Sequence, residues 1–185
     1  MSFRERIEKS ERAIKAFVEW AKEKGLNYAF IGYEKLISSS GFKNKLKDMD
    51  DITAKRIRYF PDIILLDKKA WLLEIKNSKT IEKDAYDTYI GLYSIGWNVG
   101  IVFFEEDKNI LRFTNIYNLE FSLPRTYLPI IDKYWIAPRK LPRLEYQEWK
   151  TEHPNASGTT HAYIDFINSN FSNLNLMNQK INGKR

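Results

Sequence analysis

Two β-rich runs, residues 58–66 and 70–76, stand on either side of Asp67, Lys68 and Lys69. This arrangement constrains the fold more than any other feature of the chain, because two such runs joined by a short polar turn predict a β-hairpin. A three-residue turn pairs Leu66 with Ala70, and counting outward places Asp62 opposite Glu74. Residues directly opposite on antiparallel strands project to one face, about 4.5–5.5 Å apart. Lys76 shares that face, because side chains alternate along a strand. A turn one residue longer or shorter would shift the pairing.

The three residues make a chemical pattern. Ile63 to Leu66 follow Asp62, and Trp71, Leu72 and Leu73 precede Glu74, so the charges are embedded in apolar strands. Such charges are costly unless paired or ligated. Two carboxylates this close repel, and one would tend to hold a proton. A divalent cation between them removes the repulsion, polarises a phosphate oxygen and acidifies water. A lysine beside it orients the nucleophile and offsets developing negative charge. These are the parts that phosphodiester hydrolysis needs. The plainer alternative is a structural salt bridge at a strand end. With no cysteine and only His153 and His161, a thiolate or histidine-rich metal site is not expected. Carboxylate ligands point to Mg²⁺, with Mn²⁺ as a substitute.

Around the hairpin the chain alternates helix and strand. Residues 2–24 predict a helix, with Ser2 and Glu5 at capping-box spacing and Gly25 as the left-handed stop. Phe3, Ile7, Ile14, Phe17, Val18 and Ala21 form its apolar face. Residues 27–33 suggest a short strand, and the polar stretch 38–57 a loop with some helix. A second helix is expected over 80–94, ended by Gly96, then a buried strand over 97–104 and one or two more over 109–121. After residue 121, five prolines punctuate a stretch rich in aromatic and basic residues. A last helix is expected over 160–171. This order argues for an α/β domain with a mixed sheet, with a core over 1–121 and a C-terminal extension over 122–185.

Pro61-Asp62, eleven residues, then Glu74-Ile75-Lys76 resembles the signature of the PD-(D/E)xK nuclease superfamily, which spans restriction endonucleases, Holliday-junction resolvases and viral nucleases. The resemblance covers residues 1 to about 105. It implies a restriction-endonuclease-like αβββαβ core with a mixed sheet between helices. It also implies Asp62 and Glu74 as metal ligands assisted by the Ile75 backbone carbonyl, and Lys76 as the catalytic lysine. Many members carry a further carboxylate on the first helix. At 100° per residue, Glu11 lies roughly 70° from the centre of the predicted apolar arc and is the candidate; Glu34 is the fallback. Either would join the catalytic and metal-binding set. The Gln–Tyr pair of the RecB-like branch is not matched, since the second helix has Tyr86, Tyr89 and Tyr93 but no Gln.

The net charge of +6 favours an acidic partner. Arg56, Arg58, Lys79, Arg139, Lys140 and Arg143 are the expected nucleic-acid contacts, through phosphates rather than bases; Lys43, Lys45 and Lys47 add to them. Trp135 and Trp149 among the basic residues of the extension suit stacking, a homodimer surface, or packing on the core. Ser157 to Thr160 make either an anion-binding helix start or a plain N-cap. The charged N-terminus does not read as a signal peptide, and no apolar run approaches the ~20 residues of a membrane span, so a cytoplasmic protein (host cytoplasm if viral) is expected. The expectation is a Mg²⁺-dependent endodeoxyribonuclease in viral or prokaryotic replication, recombination, restriction or repair. The alternative is a non-catalytic nucleic-acid-binding or assembly module on the same fold.

Overall fold

The computed structural model describes residues 3–32, 40–119, 130–131, 134–135, 142–154, 163–165 and 172–173. Helix α1 (Phe3–Glu23) leads through Gly25, at φ 65°, into strand β1 (Asn27–Phe30). Two short helices follow, α2 (Ser40–Asp48) and α3 (Ile52–Arg58), and then the hairpin β2 (Ile63–Leu66) and β3 (Ala70–Lys76). A three-residue strand β4 (Thr80–Glu82) precedes helix α4 (Lys83–Ser94), which crosses over to β5 (Val99–Glu105) and β6 (Ile110–Asn115). Beyond these lie β7 (Ile130–Ile131), β8 (Tyr134–Trp135), helix α5 (Arg143–Glu152), β9 (Tyr163–Asp165) and β10 (Ser172–Asn173).

The main sheet has the order β1-β2-β3-β5-β6-β10 and is mixed, because β3 and β5 run parallel while the other neighbours are antiparallel. A parallel pair needs a long crossover, and β4 with α4 supplies it. The two faces of the sheet are covered separately. Ala13, Phe17, Trp20 and Ala21 of α1 pack on Ile63, Leu65, Leu73, Ile75, Val102 and Phe104. On the other face, Ala85, Tyr86 and Tyr89 of α4 pack on Leu72, Val99, Ile101 and Phe103. The fold is thus a mixed α/β layer structure. Along the chain, α1 and β1 are followed by the α2–α3 pair, the β2–β3 hairpin, β4, α4 and β5.

Several expectations are corrected. Residues 58–66 are not one strand: Arg58 ends α3, and Pro61 separates that helix from β2. Asp51 starts α3 by accepting from the N–H groups of Thr53 and Ala54 at 2.9 and 3.0 Å, a cap that satisfies orphan donors. Residues 80–82 form β4 rather than the first turn of α4. The helix expected over 160–171 is overturned by β9, which pairs with β4 in a second sheet of order β4-β9-β8-β7. With Ile81 fully buried in β4, that strand requires a ladder partner, which a helix cannot provide. Helix α5 was not expected at all among the prolines, although Glu145 in its first turn and Lys150 in its last suit a helix dipole. Ser2, Glu34, Arg139, Lys140, residues 157–160 and His161 lie outside the described residues.

Gly100 marks where the sheet is tightest. A Cβ there would collide with the Phe113 ring and lie 3.2 Å from Leu73 Cδ2. Phe113 cannot readily yield, because Trp71 packs edge-on against it with ring centroids 5.1 Å apart. Gly100→Ala is therefore expected to destabilise by about 1–3 kcal/mol, the usual range for overpacking. Urea unfolding would show it; an unchanged midpoint would mean that the Phe113–Trp71 pair is looser than this.

Candidate functional site

The hairpin sets the site. Its observed register pairs Leu66 with Ala70 and Ile63 with Leu73, so one further step brings Asp62 level with Glu74. Asp62 is fixed from both sides. Its carbonyl accepts from the N–H groups of Ile31 and Gly32 at 2.9 and 3.1 Å, tying it to the segment after β1. Its Oδ2 accepts from the Ile75 N–H at 3.1 Å, hooking the carboxylate onto β3. Gly32 crowds close to the other oxygen, since a Cβ there would stand 3.2 Å from Asp62 Oδ1.

Alternation along β3 sends Leu73 and Ile75 to the α1 face and Leu72, Glu74 and Lys76 to the α4 face. Glu74 is only 8% exposed. Lys76 Nζ lies 2.7 Å from Glu74 Oε1, and about a quarter (24%) of the lysine side chain reaches solvent. Tyr89, on α4 and 1% exposed, hydrogen-bonds the Glu74 carboxylate from above. A second carboxylate–phenol pair stands nearby: Tyr59 donates to Glu82 Oε2 at 2.5 Å. Glu82 occupies the N-cap position of α4 yet makes no side-chain cap bond.

The electrostatics follow from this clustering. Burial alone pulls the Lys76 ammonium towards deprotonation, but contact with Glu74 and the nearby charges of Asp62 and Glu82 outweigh it, and its pKa is raised. Lys76 is thus a cation and hydrogen-bond donor at neutral pH, not a base. Burial, then Glu74, pushes Tyr89 well above the ordinary phenol range; burial and then Glu82 do the same for Tyr59. A raised pKa means that the fold favours the protonated form. The stability these groups contribute is fully present below the unfolded values, about pH 10, and is lost as pH rises through the folded ones. In an alkaline titration Tyr59 and Tyr89 are expected to ionise only as the fold is lost. If all 11 tyrosines ionised in one step near pH 10 with circular dichroism intact, both assignments would be wrong.

The other sequence candidates fall in different places. Glu11 is exposed on α1, which covers the opposite face of the sheet from Glu74 and Lys76. The structure does not bring it to them. Among the described residues, no group of three or more Asp, Glu or His side chains is placed to hold a metal ion. Arg58 is committed to structure: its Nη1 donates to the carbonyls of Leu46, Lys47 and Met49, closing the end of α2. Arg56, Lys79 and Arg143 are exposed, and Lys79 lies three residues beyond Lys76, in the turn between β3 and β4. Tyr89, Tyr59, Glu82 and Gly32 were not singled out by the sequence reading. A usable signal existed for Tyr89, since a phenol on a buried helix face needs a polar partner.

No protein-family model matches this chain, and no curated protein sequence matches it. A solved structure that it resembles is Hjc, a Holliday junction resolvase from the archaeal hyperthermophile Archaeoglobus fulgidus. The TM-score is 0.40 and the identity 14%, over 62% of this chain and 79% of that one. A likeness of this size carries no functional conclusion. No described helix is long and apolar enough to cross a membrane.

Proposed function

We propose that this chain is a divalent-metal-dependent nuclease of the PD-(D/E)xK kind that hydrolyses phosphodiester bonds in DNA. One observation carries the reading: a nearly buried glutamate, a lysine in contact with it and an aspartate hooked onto the same strand converge where β2 begins and β3 ends, in the interior of the sheet. The donor set suits a hard cation, with two carboxylates, Asp62 and Glu74, and the backbone carbonyl of Ile75, which follows Glu74 in sequence. Oxygen-only ligands of this type fit Mg²⁺ or Mn²⁺. Such an ion would supply concentrated positive charge that polarises a phosphate oxygen and makes water a better nucleophile at neutral pH.

The chain's own groups do the rest. The Ile75 N–H aims the Asp62 carboxylate. Lys76 presents a permanent positive charge where negative charge accumulates on the phosphate in the transition state, a role in which a preplaced donor is worth most. Arg56, Lys79 and Arg143 are candidates to hold the DNA backbone, which contributes affinity without sequence choice. The superfamily resemblance implies a setting in viral or prokaryotic replication, recombination, restriction or repair.

A second reading is favoured by the closeness of the Lys76–Glu74 pair: a purely structural ion pair in a non-catalytic nucleic-acid-binding module. The two separate when plasmid, single-stranded and branched DNA are incubated with the protein in Mg²⁺, Mn²⁺ or EDTA. Cleavage that requires the metal is expected. Binding without cleavage of any substrate would favour the module.

A further inference from the structure

We propose that Tyr89 is a positioning residue for Glu74, holding its carboxylate in place while Lys76 exchanges with a divalent cation. This inference rests on the metal-dependent reading given above. Glu74 has two partners of different character. The Tyr89 ring is 1% exposed and packed among Leu72, Ala85, Val99, Ile101 and Phe103. Its hydroxyl cannot leave Glu74 without opening that core. Lys76 instead carries its ammonium on a flexible four-carbon stem, and 24% of its side chain already reaches solvent. One partner is fixed and the other is exchangeable.

Their charges differ in the same sense. Lys76 already supplies the positive charge that a metal ion would bring, so an arriving cation must compete with it for Glu74. Once Lys76 has moved, Asp62 and Glu82 would repel the Glu74 carboxylate and turn it away, unless something neutral kept hold of it. A phenol does this. It donates a hydrogen bond without positive charge, so it orients the carboxylate without competing with the cation. An ordinary phenol is already protonated throughout the range in which an enzyme works. Outer partners that fix a metal-ligating carboxylate commonly account for about 10–100-fold in metal affinity.

The test is direct binding to the full chain, without DNA. Mn²⁺ is titrated calorimetrically into the wild type and the Tyr89→Phe, Tyr93→Phe and Lys76→Met variants. Tb³⁺ is added in parallel, and its emission is read under tyrosine excitation. Tyr89→Phe should weaken Mn²⁺ binding by about 10–100-fold and remove most of the sensitised Tb³⁺ emission at matched occupancy, whereas Tyr93→Phe should alter neither. Lys76→Met should tighten Mn²⁺ binding, on the order of tenfold, because a competing unit charge beside a nearly buried carboxylate is gone. Wild-type affinity and emission in Tyr89→Phe would overturn the role of Tyr89 and leave the metal site standing. Unchanged or weaker binding in Lys76→Met would overturn the exchange, whether or not Tyr89→Phe folds. A wild type that binds neither ion would overturn the metal-dependent reading itself, and this inference with it.

Discussion

Asp62→Asn and Lys76→Met are each expected to lower metal-dependent DNA cleavage by about 10²–10³-fold or more, the usual cost of removing one preplaced charged group from a transition state. The two changes act on different parts of the chemistry. Asparagine keeps an oxygen that can accept from the Ile75 N–H, now at 3.1 Å from Asp62 Oδ2, so the hook onto β3 survives. What is lost is the negative charge that a divalent cation needs. Raising the Mn²⁺ concentration should therefore recover part of the activity of Asp62→Asn. Lys76→Met keeps the length of the side chain and loses its charge, so no concentration of metal should restore it. Single-turnover rates on a plasmid substrate would check both. Full activity in either variant would remove that residue from the mechanism. Rescue of Lys76→Met by Mn²⁺ would place the lysine in metal binding instead of charge stabilisation.

The part of the site that sequence made legible is the part built from local rules. The turn at residues 67–69 and the period-2 alternation of strands determine the hairpin register without reference to the rest of the chain. Asp62, Glu74 and Lys76 accordingly meet where counting put them. Glu11 shows where such counting fails. The apolar face expected from helical spacing is Phe3, Ile7, Ile14, Phe17, Val18 and Ala21, yet the sheet takes Ala13, Phe17, Trp20 and Ala21 and leaves Ile7 44% exposed. At 100° per residue this rotates the buried arc and moves Glu11 to roughly 135° from its centre. The deciding factor is the shape of the groove on the sheet, which no helical wheel contains. Arg58 fails for a related reason. A basic residue near an acidic site suggests phosphate binding, but here its guanidinium closes three carbonyls at the end of α2. Tyr89 and Glu82 reach the site through the α4 crossover and β4, and β4 is completed by β9, more than 80 residues away in sequence. Pairings of that range leave no periodic trace in a single chain.

The same ion pair that marks the site should also cost stability when it is broken. In Lys76→Met the Glu74 carboxylate remains, 8% exposed, with Tyr89 as a neutral partner, while the Asp62 and Glu82 charges that also act on Lys76 lose their counter-charge. Removing one member of a buried pair usually destabilises by 3–5 kcal/mol. Here the lysine is 24% exposed on its side chain, so screening reduces the expectation to about 2 kcal/mol. Lys76→Met combined with Glu74→Gln should regain most of this, because neither a buried charge nor its unpaired partner then remains, and the Tyr89 hydroxyl still finds an amide oxygen. Urea unfolding of the wild type, both single variants and the double variant forms a cycle whose interaction energy isolates the pair, provided the slopes agree. Mg²⁺ gives an independent check. A cation that binds only the folded state stabilises it by mass action, so Mg²⁺ should raise the midpoint of Lys76→Met more than that of the wild type and leave the double variant unmoved. A double variant at least as stable as the wild type but unable to cut DNA would mean that the carboxylate and the lysine are kept for chemistry at the expense of the fold, as expected for an active site. Near-zero coupling would mean instead that solvent already screens the pair, and the electrostatic argument for Lys76 would have to rest on cleavage rates alone.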